Sequence, residues 1–169
     1  MKNYQALILV GGLGTRLRPI TEKVPKPMVE INGKPLLEYK IEHLKKYNIK
    51  EIILCTSYLE EKVKEYFENG EKFGVNLQYS QDNLLGTGGA IKNAETLIRD
   101  NLIVMNGDTF IEPDLNEFIK FHESKNSKLT MLVTEATNPK EQELVRLQDG
   151  IIIQVLKRDT IEHKDHMEK

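Results

Sequence analysis

The first fourteen residues narrow the architecture more than any other part of this chain. An apolar stretch, Ala6 to Val10, runs without a polar break into Gly11-Gly12-Leu13-Gly14. Five apolar residues in a row suit a strand covered on both faces, as in a parallel sheet. The glycines suit a turn whose backbone must come close to something else. Thr15-Arg16-Leu17-Arg18-Pro19 follows directly, and Pro25-Lys26-Pro27-Met28 a few residues later. With no Cβ in the way, successive N–H groups can aim at an anion, while Arg16, Arg18 and Lys26 supply countercharge. The pattern suits a polyphosphate. A tight strand-to-helix turn with solvated arginines is the plainer alternative, but it leaves the glycines and the Pro-Lys-Pro unused.

Spacing excludes two common phosphate loops. A Walker A loop needs Gly-x-x-x-x-Gly-Lys-Ser/Thr, and neither that spacing nor its lysine is present. The dinucleotide fingerprint G-x-G-x-x-G, started at Gly12, would place Leu17 at its third glycine. A dinucleotide-dependent oxidoreductase is thereby disfavoured.

With 169 residues, 39% hydrophobic and 30% charged, the expectation is one soluble globular domain. A net charge of −2 offers no general attraction to nucleic acid or an anionic membrane, so the cations of the first loop read as ligand-directed. The single cysteine, Cys55, lies in an apolar run and reads as a buried thiol, which excludes a disulfide framework. Ala6 to Val10 is too short for a secretory h-region, and no run approaches membrane-spanning length. These features place the expected protein in the cytoplasm, with assembly into a homo-oligomer left open.

Strands and helices alternate. Ala6–Val10, Glu51–Thr56, Leu102–Met105 and Leu129–Thr134 are short and apolar, as buried strands are. Between them, Leu37, Ile41 and Leu44 share a helical face, as do Leu59, Val63, Tyr66 and Phe67. Ala90, Ala94, Leu97 and Ile98 form another, and Leu115, Phe118, Ile119 and His122 a fourth. Asp114 with Glu117 reads as a capping box. Asp149-Gly150 between Leu144–Gln148 and Ile151–Leu156 predicts a β-hairpin. The expected fold is therefore α/β: a three-layer, doubly wound, mostly parallel sheet with a hairpin near the carboxyl end. Ligands in such folds sit beyond the carboxyl ends of the strands.

Two further constellations sit at strand ends. Asn106-Gly107-Asp108 follows an apolar strand, and Asp108 there can hold Mg2+ through one carboxylate while waters and phosphate oxygens fill the octahedron. A turn-forming Asn-Gly-Asp is an equal reading of the same residues. Leu85-Gly86-Thr87-Gly88-Gly89-Ala90 opens a helix, and Gln81, Asp82 and Asn83 just before it can read a base edge. A glycine-rich helix entry beside the sheet is the competing reading.

Taken together, GGxGTRLxP followed by PKPM resembles the signature of the sugar-phosphate nucleotidyltransferases. These enzymes join a nucleoside triphosphate to a sugar 1-phosphate and release pyrophosphate. The resemblance covers nearly all of residues 4–158 and includes Ile31-Asn32-Gly33-Lys34-Pro35-Leu36, a turn before the first long helix. It implies a Rossmann-like nucleotidyltransferase fold with Arg16, Lys26 and Asp108 as catalytic residues, Asp108 also holding Mg2+. It implies that Leu9, Gly11, Gly12, Gly14 and Thr15 bind the nucleotide, and that the LGTGGA loop, through Gly86, Thr87 and Gly88 with Gln81 ahead of it, covers the base. Gly107 and Lys157 are the implied sugar-phosphate contacts. Leu156 and Arg158 replace the usual neighbours of that lysine, and a solvated strand-end lysine is an equal reading. Asn83 and Leu84 replace an acidic residue and a proline, which leaves the base open.

The pattern is most similar to guanylyltransferases for mannose- or manno-heptose-type 1-phosphates. Uridylyl transfer to glucose- or amino-sugar 1-phosphate is the alternative, and a catalytically weak nucleotide-binding sensor or subunit a second one. Relatives continue for several more elements, so residues 1–169 are expected to form one nucleotidyltransferase domain lacking its C-terminal elements, including a second metal-binding aspartate. His163 and His166 in the charged terminal segment read as bystanders.

Overall fold

The first strand, β1 (Tyr4–Leu9), is the centre of a fully parallel sheet in the computed structural model, which describes residues 3–81, 86–99, 101–138 and 143–156. β2 (Glu30–Ile31) and β3 (Lys34–Pro35) make a small antiparallel ribbon, turned by Asn32 and Gly33 with φ of 52° and 76°. α1 (Leu36–Lys46), β4 (Glu51–Thr56), α2 (Glu60–Phe67), β5 (Asn76–Gln81), α3 (Gly86–Asn93) and β6 (Asn101–Asn106) follow. The strand order is β5-β4-β1-β6. The chain moves outward from β1 to β5 and then crosses to the other side of β1, which is the doubly wound arrangement expected from the alternating pattern.

Period-2 alternation along the strands divides the core into two layers. Ala6 and Ile8 of β1 and Ile52 and Leu54 of β4 face Leu37, Ile41 and Leu44 of α1 and Val63 and Phe67 of α2. Leu7, Ile53 and Cys55 face the opposite way, against Ala90 and Ala94. Small residues on that second side let the short α3 lie close to the sheet. Burying each of the large side chains contributes about 1.5–3 kcal/mol, so the central strands are the most firmly held part of the chain. Cys55 is a buried free thiol.

β5 corrects one expectation and an absence corrects another. Asn76–Gln81 reads as polar, yet it pairs along its whole length with β4. As an edge strand it tolerates half-buried positions. Leu129–Thr134 was expected to be a strand and is not one among the described residues; Leu129 is 79% exposed. Apolar composition favours a strand only where a partner edge exists, and local sequence cannot say whether it does.

The residues up to Phe121 form one compact unit, and those from His122 onward form another. α4 (Leu115–Ser124) begins in the first, where the Asp114 carboxylate accepts the Glu117 N–H at 3.0 Å, the N-cap half of the expected capping box. In the second, β7 (Leu144–Gln148) and β8 (Ile151–Leu156) form the hairpin. Asp149 and Gly150 both have positive φ, 52° and 76°, as a two-residue turn of primed type requires. Among the described residues, no helix is long and apolar enough to cross a membrane.

Candidate nucleotide site

The register between β1 and β6 sets Leu9 opposite Asn106, so both strands leave the sheet at the same end and side by side. This is the point where the winding reverses, and a crevice opens there. The Gly107 N–H donates to the Leu9 carbonyl at 2.8 Å. A Cβ at residue 107 would lie 2.7 Å from that same oxygen, so glycine is needed for the Asp108 turn to pass β1 this closely.

On the β1 side, the Val10 N–H donates to the Cys55 carbonyl at 2.8 Å and carries the β4 pairing one residue further. Gly14 then adopts φ +61°, the left-handed region that glycine enters at no steric cost. Its carbonyl accepts the Thr21 hydroxyl at 2.8 Å and the Leu17 N–H at 2.9 Å. Thr21 is buried, so the loop is tied down from within. A Cβ on Gly14 would meet Thr21 Cγ2 at 2.9 Å, whereas one on Gly12 would meet nothing within 4 Å. Gly14 therefore shapes the loop, while the backbone at Gly12 is open to a visitor.

A single 3₁₀ turn, Lys26–Met28, buries Pro27 and Met28 and leaves the lysine side chain facing β6. Lys26 Nζ donates to Asp108 Oδ2 at 2.6 Å, with the two side chains 32% and 42% exposed. Burial pushes the Asp108 carboxyl up, but the Lys26 hydrogen bond and charge, with the Thr109 hydroxyl, outweigh it and hold it below its ordinary value.

Around this pair lies a cavity of about 300 Å³. Leu9, Gly11 and Gly12 line it from the β1 loop, Lys26 and Pro27 from the 3₁₀ turn, Gly86 and Thr87 from the start of α3, and Asn106 and Asp108 from β6. Seven of the residues singled out from sequence thus share one cavity: Leu9, Gly11, Gly12, Lys26, Gly86, Thr87 and Asp108. Gly14, Thr15, Gly88 and Gly107 lie beside it in the same segments. Arg16 and Arg18 are exposed, do not line the cavity, and have no ion pair among the described residues. Gln81 ends β5, where its carbonyl accepts from Asn93 Nδ2. Lys157, Asp82, Asn83 and the histidines at 163 and 166 lie outside the described residues.

Sequence reasoning gave Asn106 and Pro27 no role of their own, although they line the cavity. Register alone brings Asn106 to Leu9, and only the compact turn brings Pro27 inward. Also missed was Lys40 on α1, which is 4% exposed with its Nζ lacking a hydrogen-bond partner among the described residues.

The donor set suits a hard cation only when a ligand shares it. Asp108 offers carboxylate oxygens at the cavity, and among the described residues no group of three His, Cys, Asp or Glu converges. Mg2+ is commonly held by one or two carboxylates with substrate phosphates and waters completing the shell, and Asp108 fits that role.

A sequence profile of the nucleotidyl transferase family matches residues 5–157. A D-glycero-alpha-D-manno-heptose 1-phosphate guanylyltransferase of Campylobacter jejuni is 51% identical over 122 residues, covering 72% of this chain and 54% of the relative. A mannose-1-phosphate guanyltransferase of Gibberella zeae is 36% identical over 151 residues, covering 86% and 42%. The structure of HddC from Yersinia pseudotuberculosis complexed with GMP-PN superposes with a TM-score of 0.63 at 40% identity, covering 72% of this chain and 54% of that one. The chain spans about half the length of the curated relatives it matches. Its glycine loop, its Lys26–Asp108 pair and its doubly wound sheet are accounted for together: the chain belongs to the nucleotidyl transferase family.

Proposed function

We propose that this chain carries the nucleotide site of an enzyme that transfers a guanylyl group from a triphosphate to a mannose- or manno-heptose-type 1-phosphate, releasing pyrophosphate. The observation that carries this reading is the cavity at the winding reversal, where the open backbone at Gly11 and Gly12 faces the Lys26–Asp108 pair. Similarity to guanylyltransferases supports the choice of base and sugar.

In the proposed reaction an oxygen of the sugar 1-phosphate attacks the α-phosphorus in line, and pyrophosphate departs opposite. Chemistry of this kind needs positioning and charge neutralisation rather than a covalent intermediate. The N–H groups of Gly11, Gly12 and Gly14 with Thr15 and Arg16 receive the triphosphate tail. Lys26 turns from Asp108 to the α-phosphate, neutralising charge as it builds. Asp108, once released, holds Mg2+, which supplies countercharge to the phosphates when bound. Gly86, Thr87 and Gly88 with Gln81 border the base, and Gly107 and Lys157 border the sugar phosphate. Such a reaction belongs in the cytoplasm, where triphosphates are abundant, and needs neither nucleic acid nor a membrane.

Pyrophosphate release, scored for four triphosphates against a panel of sugar 1-phosphates, tests the reading. The expected result is turnover with GTP and a manno-configured acceptor, reduced about 10²–10³-fold by Lys26→Ala. Turnover with UTP and a glucose or amino-sugar 1-phosphate would replace the substrate assignment. Triphosphate binding without turnover, on this chain and on one extended through the family's remaining elements, would favour a nucleotide-binding sensor.

A further inference from the structure

Lys40 carries an inference of its own. It projects from α1 into the protein, 4% exposed, with no hydrogen-bond partner for Nζ among the described residues. A buried ammonium without a partner is costly, so its retention calls for a reason. Its nearest opposite charges are the carboxylates of Asp108 and Glu112, which both act on it electrostatically.

The segment that carries Asp108 is laid along the same helix. Phe110 meets the Tyr39 ring edge-on at 6.3 Å, and Glu112 Oε1 lies 3.8 Å from His43 Nδ1 and 4.0 Å from Lys46 Nζ. His43 and Lys46 give Glu112 its own cationic partners. Asp108 is left between two lysines: Lys26 in contact at 2.6 Å on the cavity side, and Lys40 from the core side.

One carboxylate facing two ammonium groups is a poor place for a lone dication. We infer that Lys40 is a positioning residue for the charge balance of the metal site: it keeps Asp108 from holding a divalent cation by itself, so that the metal enters only with a triphosphate. The triphosphate brings the negative charge the site lacks and draws Lys26 away, and Asp108 is then free to bind. Lys40, being buried, cannot follow Lys26 to the phosphates and remains as a fixed positive potential. This inference rests on the proposed role of Asp108 as metal ligand.

The test measures Mn2+ binding by electron paramagnetic resonance on the intact chain, with and without a non-hydrolysable GTP analogue. Wild type should bind Mn2+ weakly alone and much more tightly with the analogue. Lys40→Met, similar in shape without the charge, should tighten binding of Mn2+ alone by about tenfold, the scale of one charge removed from a few ångströms off a dication in a well-solvated site. The gain from adding the analogue should shrink accordingly, and Lys40→Arg should behave as wild type. Lys40→Gln serves in its place should Lys40→Met fail to fold by circular dichroism. A folded neutral variant whose affinity for Mn2+ alone is unchanged or weaker overturns the inference, as does tight binding of Mn2+ alone by wild type. Asp108→Asn distinguishes the underlying reading: it should lose the Mn2+ response in every condition, and retention of that response would remove Asp108 as the ligand while saying where the fault lies.

Discussion

Replacing Gly12 by alanine separates what the glycine loop does for the fold from what it does for a ligand. An ideal Cβ at residue 12 has no atom within 4 Å, and Gly12 is not among the glycines with positive φ, so the folded chain accommodates alanine without strain. Because alanine also narrows the unfolded ensemble, stability should hold or rise by about 0.4–1 kcal/mol. The same Cβ sits at the wall of the 300 Å³ cavity. A backbone N–H holds a phosphate oxygen at about 2.9 Å from nitrogen, and an added methyl group makes that approach impossible without displacing the anion. Losing one or two charge-assisted hydrogen bonds, at about 1.5–3 kcal/mol each, weakens triphosphate binding by at least tenfold and by up to about 10³-fold or more. Thermal melts paired with titration calorimetry of magnesium GTP read both quantities on one sample. Gly14→Ala is the contrasting control. With φ of +61° and a Cβ 2.9 Å from Thr21 Cγ2, it should lose about 1–3 kcal/mol of stability. A Gly12→Ala protein that binds GTP like wild type would refute the assignment of this backbone to the triphosphate. One that melts as low as Gly14→Ala would refute the distinction between the two glycines.

Gly107→Ala drives a Cβ to 2.7 Å from the Leu9 carbonyl oxygen, so it should cost about 1–3 kcal/mol in denaturant melts and displace Asp108, lowering ligand affinity as well. Thr21→Val deletes the buried hydroxyl that donates to the Gly14 carbonyl; a loss of about 1–2 kcal/mol is expected, with weaker triphosphate binding as the loop loosens. Lys26→Met should change the acid limb of the stability curve. The folded pKa of Asp108 lies below its ordinary 3.8, so the stabilisation from this pair is present above about pH 3.8 and is lost as pH falls through the folded value. Both side chains are about a third exposed or more, so the difference from wild type is modest, about 0.2–1 kcal/mol near neutrality. Urea midpoints for the two proteins should converge toward pH 2; a gap that widens on acidification would contradict the assigned cause.

Much of the fold could be read from local pattern because local pattern is where its cause lies. Leu37, Ile41 and Leu44 recur at helical spacing, Ala6 to Val10 carries the composition of a buried strand, and Asp149-Gly150 suits a turn with two positive φ values. The failures have one origin. Leu129–Thr134 has the composition of a strand but no partner edge among the described residues, whereas polar Asn76–Gln81 pairs along its length because β4 offers one. Strand formation is a property of pairs, and a single sequence shows only one member.

The same division runs through the site. Glycines at positions 11, 12 and 14, the lysine at 26 and the aspartate at 108 mark chemistry that residue type and spacing alone can signal, since close backbone approach requires a missing Cβ and phosphates require fixed cations. What the sequence could not supply is which of these groups meet. The parallel register of β1 with β6 brings residue 108 to the glycine loop, and the turn at Lys26–Met28 closes the ion pair across 82 positions of chain. Arg16, prominent in the motif, stays outside the cavity wall, while Asn106 and Lys40 gain their places only through packing. Residue identity fixes what a side chain can do; distance and burial decide on whom it acts, and those arise only when distant segments pack together.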